Sequence, residues 1–334
     1  MNLPDTVRTV RWMVRDTFRQ SVSTKLFYVM LALVAVATLL CASVRVTGDV
    51  APTTYDWEVP ALLPKSEAER LGMDKVKNDG ARVISGEVSF GFGATKVPLG
   101  RTREDAVHFL QTWLAGWFAD TAGVLLALLW TAGFLPTFLE PQSATVLLAK
   151  PGPRWSILLG KYLGVVGFVA FQAALFVGGT WAALGFATGV WSSAYWLAVP
   201  LLVLNFAVFY SVSVFLSVWT RSTVASAFGT LIFWMLCWLV DYSHLRMLAQ
   251  PGGPLTPLAQ GLMDAGYWVL PKPLDLSGIF FDAMNAETVA AKPVELKVAE
   301  SGGHLHPEAS VASSLAFAAG VLGLSVFEFK MTDY

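Results

Sequence analysis

The sequence is poor in charge. Only 14% of its 334 residues are Asp, Glu, Lys or Arg, against roughly a quarter in ordinary soluble domains, and 55% are hydrophobic. Water is thereby excluded as the main solvent of the fold. Acidic and basic residues nearly balance, 24 against 23, for a formal net charge of −1, so there is no basic surplus to hold nucleic acid. Cysteine is equally scarce. Cys41 and Cys237 both lie in apolar stretches, where a small soft side chain packs and no disulfide framework is expected. Of the four histidines, His304 and His306 alternate along the chain, but a pair falls short of a metal centre's ligand set. His108 and His244 lie at predicted interfaces and read as amphipathic surface residues.

Catalytic signatures are missing too. The chain has no Gly-x-Ser-x-Gly elbow and no His-Glu-x-x-His helix. Gly86, Gly91, Gly93 and Lys96 superficially suggest a phosphate loop, yet Phe92 follows Gly91 where the lysine would be needed. The expectation is a chain with no catalytic, cofactor-binding or metal-binding residues of its own.

What the chain has in quantity is apolar length. Charge-free windows run from Leu26 to Val44 and over residues 121–139, 162–220, 222–240 and 309–327. A helix needs about 20 apolar residues to cross the roughly 30 Å hydrocarbon core, and one central Lys, Arg or Asp costs about 2.5 to 3.5 kcal/mol. The window from Tyr162 to Thr220 suits two helices joined near Gly185 to Tyr195, with Trp181, Trp191, Tyr195 and Trp196 at headgroup level. The predicted fold is an all-α polytopic membrane protein with six transmembrane helices, at 26–44, 119–139, 157–184, 197–219, 223–240 and 309–327. Residues 1–25 form an amphipathic interfacial helix, 45–118 an outer insertion and 140–156 a cytoplasmic loop. Residues 185–196 and 220–222 are short outer and inner turns, 241–308 an outer loop or cap, and 328–334 a cytoplasmic tail.

Small residues at Cys41, Ala42 and Ser43 follow an apolar run, as at a cleavage site. The leading basic segment is long and further spans follow, so the first window reads as an uncleaved anchor. With a cytoplasmic amino terminus, Arg8, Arg11, Arg15, Arg19, Lys25, Lys150, Arg154, Lys161, Arg221 and Lys330 fall inside, and the short outer turn has no Lys or Arg. This is the positive-inside pattern of a multi-pass protein of the plasma or inner membrane with both termini cytoplasmic.

Arg8, Arg11, Arg15 and Arg19 repeat at spacings of three and four and form one basic stripe, with Val10, Met13, Val14 and Thr17 opposite. Such a helix suits the membrane interface, its arginines near anionic lipid heads, and offers a docking surface for a cytoplasmic partner. In the first insertion a short hairpin is expected near residues 81–98. In the second, Leu258 to Trp268 reads as a short interfacial helix. Asp120, Lys161, Arg221 and Asp241 fall at window edges, where snorkelling explains them, and no carboxylate pair is placed within a span. Ion coupling is therefore disfavoured. Pro136 and Pro200 are positioned to kink the second and fourth helices. The last helix, rich in Ala, Ser and Gly with Ala316 and Gly320 four residues apart, should pack against protein.

The most specific stretch lies between the second and third helices. Glu140 is followed by Leu147, Leu148, Lys150, Pro151 and Arg154, then by Gly160, Lys161 and Gly164. In order and spacing this resembles the permease (transmembrane) subunits of the type-2 ABC exporter family, with Gln142 and Ser143 replacing that family's usual Gly-Thr. The resemblance implies a non-enzymatic subunit that pairs as a homodimer or heterodimer and docks onto a separate ABC ATPase, with ATP held by that partner and no cofactor in this chain. It further implies that Glu140, Lys150, Pro151, Arg154, Gly160 and Lys161 belong to the ATPase-coupling loop, with the arginine-bearing helix alongside. The competing expectation is a noncatalytic membrane scaffold acting through its outer loops. The residues do not choose among lipid, glycan, peptide, drug or a factor for metalloprotein maturation as cargo.

Overall fold

The computed structural model describes residues 3–47, 53–54, 82–83, 86–99, 103–139, 153–249, 256–284 and 306–331. Six helices among them are long and apolar enough to cross a membrane: Lys25–Ala42, Arg103–Phe138, Arg154–Thr188, Ser193–Thr220, Thr223–Leu248 and Pro307–Met331. They are spans 1 to 6. We call the end of the bundle bearing the amino terminus proximal and the opposite end distal. An amino-terminal helix, Leu3–Ser23, precedes span 1. Thr24, in extended conformation, separates the two helices and donates its hydroxyl to the Ser21 carbonyl at 2.6 Å.

Spans 1 and 3 run parallel and in close contact. Phe27 meets Phe168 at 5.7 Å near the proximal end. Farther along, a Cβ added to Gly179 would lie 2.7 Å from the Thr38 hydroxyl. Span 4 is the centre of the bundle, and its Phe206, Phe209, Tyr210, Val214 and Val218 join Leu128, Phe168 and Cys237 in the main core. Spans 4 and 5 form a tight hairpin. Arg221 turns the chain with a left-handed φ of 54°, and the Ser213 carbonyl accepts from both Ser217 and Ser226, at 2.7 and 2.8 Å. Short hydroxyl side chains let two helices approach where no water can satisfy a polar group.

Span 2 departs from the expected 119–139. Its helix begins at Arg103, inside the stretch expected as insertion, passes through a π-helical segment at Leu114–Gly123, and continues through Val124–Thr131 and Phe134–Phe138. The first three turns are amphipathic rather than apolar. Arg103, Glu104 and Asp105 lie at the start, and Ala106, Val107, Gln111 and Thr112 are buried, so a hydropathy window misses them. The helix breaks at Ala132 and Gly133, just before Pro136, as expected of a proline that removes a backbone donor. Pro200, by contrast, sits in the first turn of Ala198–Thr220, where its missing N–H has no intrahelical partner to lose, and produces no kink.

The span 3 helix extends to Thr188, past the expected end at 184, and is closed by Gly189 with a left-handed φ of 78°. A 3₁₀ turn at Ser193–Leu197 leads into span 4. Trp181 packs edge-on against Trp191 and Trp196 at 4.7 and 6.0 Å, forming an aromatic cluster at the distal end. Span 5 runs on to Ala249, past the expected 240. The segment expected as an outer cap contains two ordered connecting helices, Pro257–Val269 and Pro273–Ala283. The first exposes Leu258, Leu262 and Val269, as an interfacial helix would. The last helix is Pro307–Met331, longer than 309–327 at both ends.

The last helix does pack against protein. The face it buries carries Ser310, Ser314, Ala318, Ser325 and Phe329, whereas Ala316 and Gly320 point outward. Distal to spans 1 and 2, strands β1 (Arg45–Thr47), β4 (Gly86–Phe90) and β5 (Thr95–Leu99) form an antiparallel sheet in the order β1-β4-β5. The β4–β5 hairpin pairs Val88 with Val97 and Phe90 with Thr95. Its turn uses positive φ at Gly91, Phe92 and Gly93, so the glycines serve chain reversal rather than phosphate binding. Two more strands, β2 (Thr53–Thr54) and β3 (Arg82–Val83), pair with each other.

The amino-terminal helix lies on span 3, and the reason is steric. A Cβ at Gly160 would fall 2.8 Å from that of Met13, and one at Gly164 would fall 2.8 Å from that of Thr17. The Gly-Lys-x-x-Gly spacing leaves a shallow groove one helical turn long that receives these side chains. Substituting Gly164→Val should cost about 1–3 kcal/mol through overpacking. It should lower the thermal midpoint of the detergent-purified protein and increase tryptic cleavage at Arg11, Arg15 and Arg19. Gly320→Ala, with nothing within 4 Å of the new atom, should do neither.

Candidate functional site

Two places hold the polar chemistry of this bundle. The first is proximal. Arg8, Arg11, Arg15 and Arg19 are all exposed on the amino-terminal helix, and Met13, Thr17 and Ser21 on the opposite side are buried. The apolar face is therefore covered by span 3 and not by lipid alone. Phe18 reinforces the contact, edge-on to Phe168 at 5.3 Å. Lys161 is not a snorkelling residue either. It is 1% exposed, donates to the Gln20 carboxamide oxygen at 2.5 Å and lies over the Phe138 ring. The next residue, Tyr162, donates to the Ala207 carbonyl at 2.9 Å and stacks on Tyr210, so this short stretch links the amino-terminal helix to span 4.

Arg154 is the first residue of the span 3 helix. Gly160 and Lys161 are thus brought to the arginine-bearing helix, with Arg154 one to two turns before them. Glu140, Lys150 and Pro151 lie outside the described residues. The described residues of span 2 end at Leu139 and those of span 3 resume at Pro153, both at the proximal end.

The second place is distal, and the sequence did not announce it. Asp120 and Asp241, expected at membrane edges, are turned inward. Asp120 accepts from Asn205 Nδ2 at 2.7 Å and from the Ser277 hydroxyl at 2.6 Å, so it joins spans 2 and 4 to the second connecting helix. Asp241 is 1% exposed, and its Oδ2 accepts the Leu274 backbone N–H at 2.9 Å. A carboxylate from span 5 therefore caps the amino-terminal turn of that same connecting helix, where unsatisfied donors and the helix dipole favour negative charge.

Around Asp241 lies a compact polar cluster. Asp275 accepts from Tyr267 and from Ser310, both at 2.6 Å. The Lys272 ammonium donates to Ser313 at 2.5 Å and rests over the rings of Tyr267 and Trp268 at 4.7 and 5.1 Å. Burial pulls Lys272 below the ordinary lysine range, and Asp275 and Asp241 oppose that pull. Burial, followed by the nearby Asp275 charge, pushes the Tyr267 hydroxyl far up and keeps it a donor. His244, expected on the surface, is buried, stacked on Tyr267 at 3.9 Å and 3.3 Å from Asp264.

The expectation that Asp120, Lys161 and Asp241 snorkel at the span edges is therefore corrected, since their side chains are hydrogen-bonded inside the bundle. A hydropathy window sees each aspartate only at its edge, while Asp275 and Lys272 come from a segment too polar to count as a span. A signal was present in Pro273, a helix start three residues after the apolar Val269–Leu270 pair and next to Lys272. Nothing in one sequence, however, tells that this helix folds back into the bundle. Among the described residues no group of three or more metal-ligating side chains is assembled. The arrangement can bind the connecting helices to the spans and hold charge out of lipid.

Two outcomes follow. Asp120→Leu strands the Asn205 amide and should cost about 1–3 kcal/mol of stability, whereas Asp120→Asn, which keeps an acceptor, should cost less. Lys272→Met should cost about 3–5 kcal/mol by leaving buried carboxylates uncompensated. Combining it with Asp241→Asn, which preserves the cap without the charge, should cost less than the sum of the two single changes. Thermal unfolding of the five variants, Asp241→Asn alone included, in one detergent measures both effects.

Comparison with curated proteins finds no matching relative. The profile of the family described as ABC-2 family transporter protein matches residues 11–254, well over half of the chain. The match begins within the amino-terminal helix, spans the proximal groove and ends just after span 5. Six apolar helices, a helix seated at the proximal end and a family match of this extent lead to one conclusion: the chain is a multi-pass membrane protein that belongs to the ABC-2 family of transporter proteins, a permease component of an ABC transporter.

Proposed function

We propose that this permease works as an exporter whose proximal end is cytoplasmic, and that a separate ABC ATPase docks there and supplies all of the ATP chemistry. The chain itself then holds no cofactor and catalyses no reaction, and it pairs with a second permease, of its own kind or a related one. The observation that carries the reading is the seating of the amino-terminal helix in the Gly160–Gly164 groove. That contact turns four arginines outward at the proximal end, where the described parts of spans 2 and 3 stop on either side of Glu140, Lys150 and Pro151 in sequence.

In this reading Glu140 and Arg154 make charged contacts at the rim of the ATPase. Lys161, tied to Gln20, carries a displacement of the amino-terminal helix into span 3. The contact is stiff because it is steric, and a packed interface moves as a body rather than deforming. The basic stripe suits both an acidic partner surface and anionic lipid heads. Family membership already implies an ABC ATPase as a partner. Direction of transport and orientation rest on the positive-inside distribution and on the coupling-loop spacing.

The test is a tagged full-length chain, solubilised mildly and analysed for co-purifying proteins. An ATPase with Walker motifs should be recovered with the wild type, and Arg154→Glu should lower its recovery by about tenfold, the effect of losing roughly 1.4 kcal/mol at a charged rim. If no ATPase is recovered even after crosslinking, the reading fails.

A further inference from the structure

Between spans 1, 2 and 3 lies a cavity of about 600 Å³, well within the range that takes a small organic ligand. Its wall on span 1 runs from Met30 to Cys41, about 17 Å at the α-helical rise, or just over half of the hydrocarbon thickness, and Val44 extends it beyond the helix end. Phe90, on the β4–β5 hairpin, closes the distal end. Leu33, Val36, Leu40 and Leu126 line it and are at least two-fifths exposed, so it opens sideways towards the bilayer. Among the described residues no charged side chain lines it. Glycans, peptides with free charges and ions find no complement there.

Two polar groups break the apolar lining. Gln172 is 6% exposed, lies on the cavity wall, and neither its amide nitrogen nor its oxygen has a partner. Trp130 is 7% exposed, lines the same cavity, and its indole N–H is likewise unpartnered. Trp130 rests on Phe168 at 5.2 Å, one helical turn before Gln172, so both polar groups lie on the same stretch of the cavity wall. The parallel contacts of Phe27 with Phe168 and of Thr38 with Gly179 place Gln172 level with about Leu31 on span 1. Both polar groups therefore sit at the proximal end of the groove. In hydrocarbon each unmatched donor or acceptor is costly, and the indole N–H and the carboxamide N–H are both satisfied by a neutral acceptor.

We propose that this cavity binds an acyl-chain amphiphile, drawn from the proximal leaflet, with the carbonyl of its ester or amide linkage at Gln172 and Trp130 and its chain running distally to Phe90. The shape and the lining point to one long apolar chain with one neutral polar linkage. Calling the occupant a cargo rests on the permease reading; its binding does not.

The full chain is placed in vesicles of phosphatidylethanolamine and phosphatidylglycerol containing phosphatidylethanolamine with a diazirine on one acyl chain, or, in parallel, a diazirine-bearing alkane of similar length. Photolabelling should concentrate on spans 1 and 2 at the cavity rim. Ala37→Trp, which fills the groove, should abolish that labelling while leaving labelling at the exposed Ile232 of span 5 unchanged. Gln172→Leu should weaken labelling by the lipid about three- to tenfold, the range one lost neutral hydrogen bond supports, and leave labelling by the alkane unchanged. Should Ala37→Trp not yield folded protein, the Gln172→Leu comparison decides alone. Equal labelling of every variant overturns the proposal, as does crosslinking of span 1 to a second copy without any lipid adduct, which would make the groove a subunit contact. Since the assay contains no ATPase, its failure is separable from failure of the permease reading.

Discussion

In hydrocarbon a charge that finds no partner in its own chain finds none at all, and this constraint organises the distal half of the bundle. Asp241 and Asp120 project from spans into the protein. The second connecting helix arrives to meet both, offering the Leu274 N–H to one and the Ser277 hydroxyl to the other. Lys272 then balances charge, and Ser310 and Ser313 of span 6 add hydrogen bonds to Asp275 and to Lys272. Spans 2, 4, 5 and 6 are thus tied to one short helix by polar contacts that lipid cannot replace. A segment that reads as a loose cap is in fact held by the ends of the spans it joins.

The proximal end uses the opposite device. There the decisive residues are those with no side chain, Gly160 and Gly164, and close approach takes the place of hydrogen bonding. A buried polar contact from Lys161, between the glycines in sequence, reaches past Thr17 to Gln20 and helps fix the register of the two helices. Distal polar ties and a proximal steric seat suit a molecule in which one end receives a push and the other keeps its shape.

Much of this was legible in the residues. Charge-free length gave six spans, because the bilayer penalises a charge near the centre of a helix whichever face carries it. The arginine spacing gave the amphipathic helix, and the alternation with glycines gave the hairpin. Partners were harder to read. The side of the amino-terminal helix opposite Arg8 and Arg15 was expected to meet the membrane interface, and the structure sets it on span 3, because a hydrophobic stripe does not say whether protein or lipid covers it. Ala316 and Gly320 carried the spacing of a packing face, yet Ser314 and Ala318 do the packing, since small residues occur on several sides of that helix. Asp120, Lys161 and Asp241 looked peripheral because a window averages over all faces of a helix and so hides the direction in which one side chain points.

The small sheet at the distal end carries a mechanical consequence. Strand β1 follows span 1 almost at once, and β5 ends a few residues before span 2 begins. Since β4 is hydrogen-bonded to both, the far tips of two neighbouring spans are bridged by backbone bonds. Tongs joined at the tip can open only at the handles: any separation of spans 1 and 2 grows towards the proximal end, where the arginine-bearing helix lies.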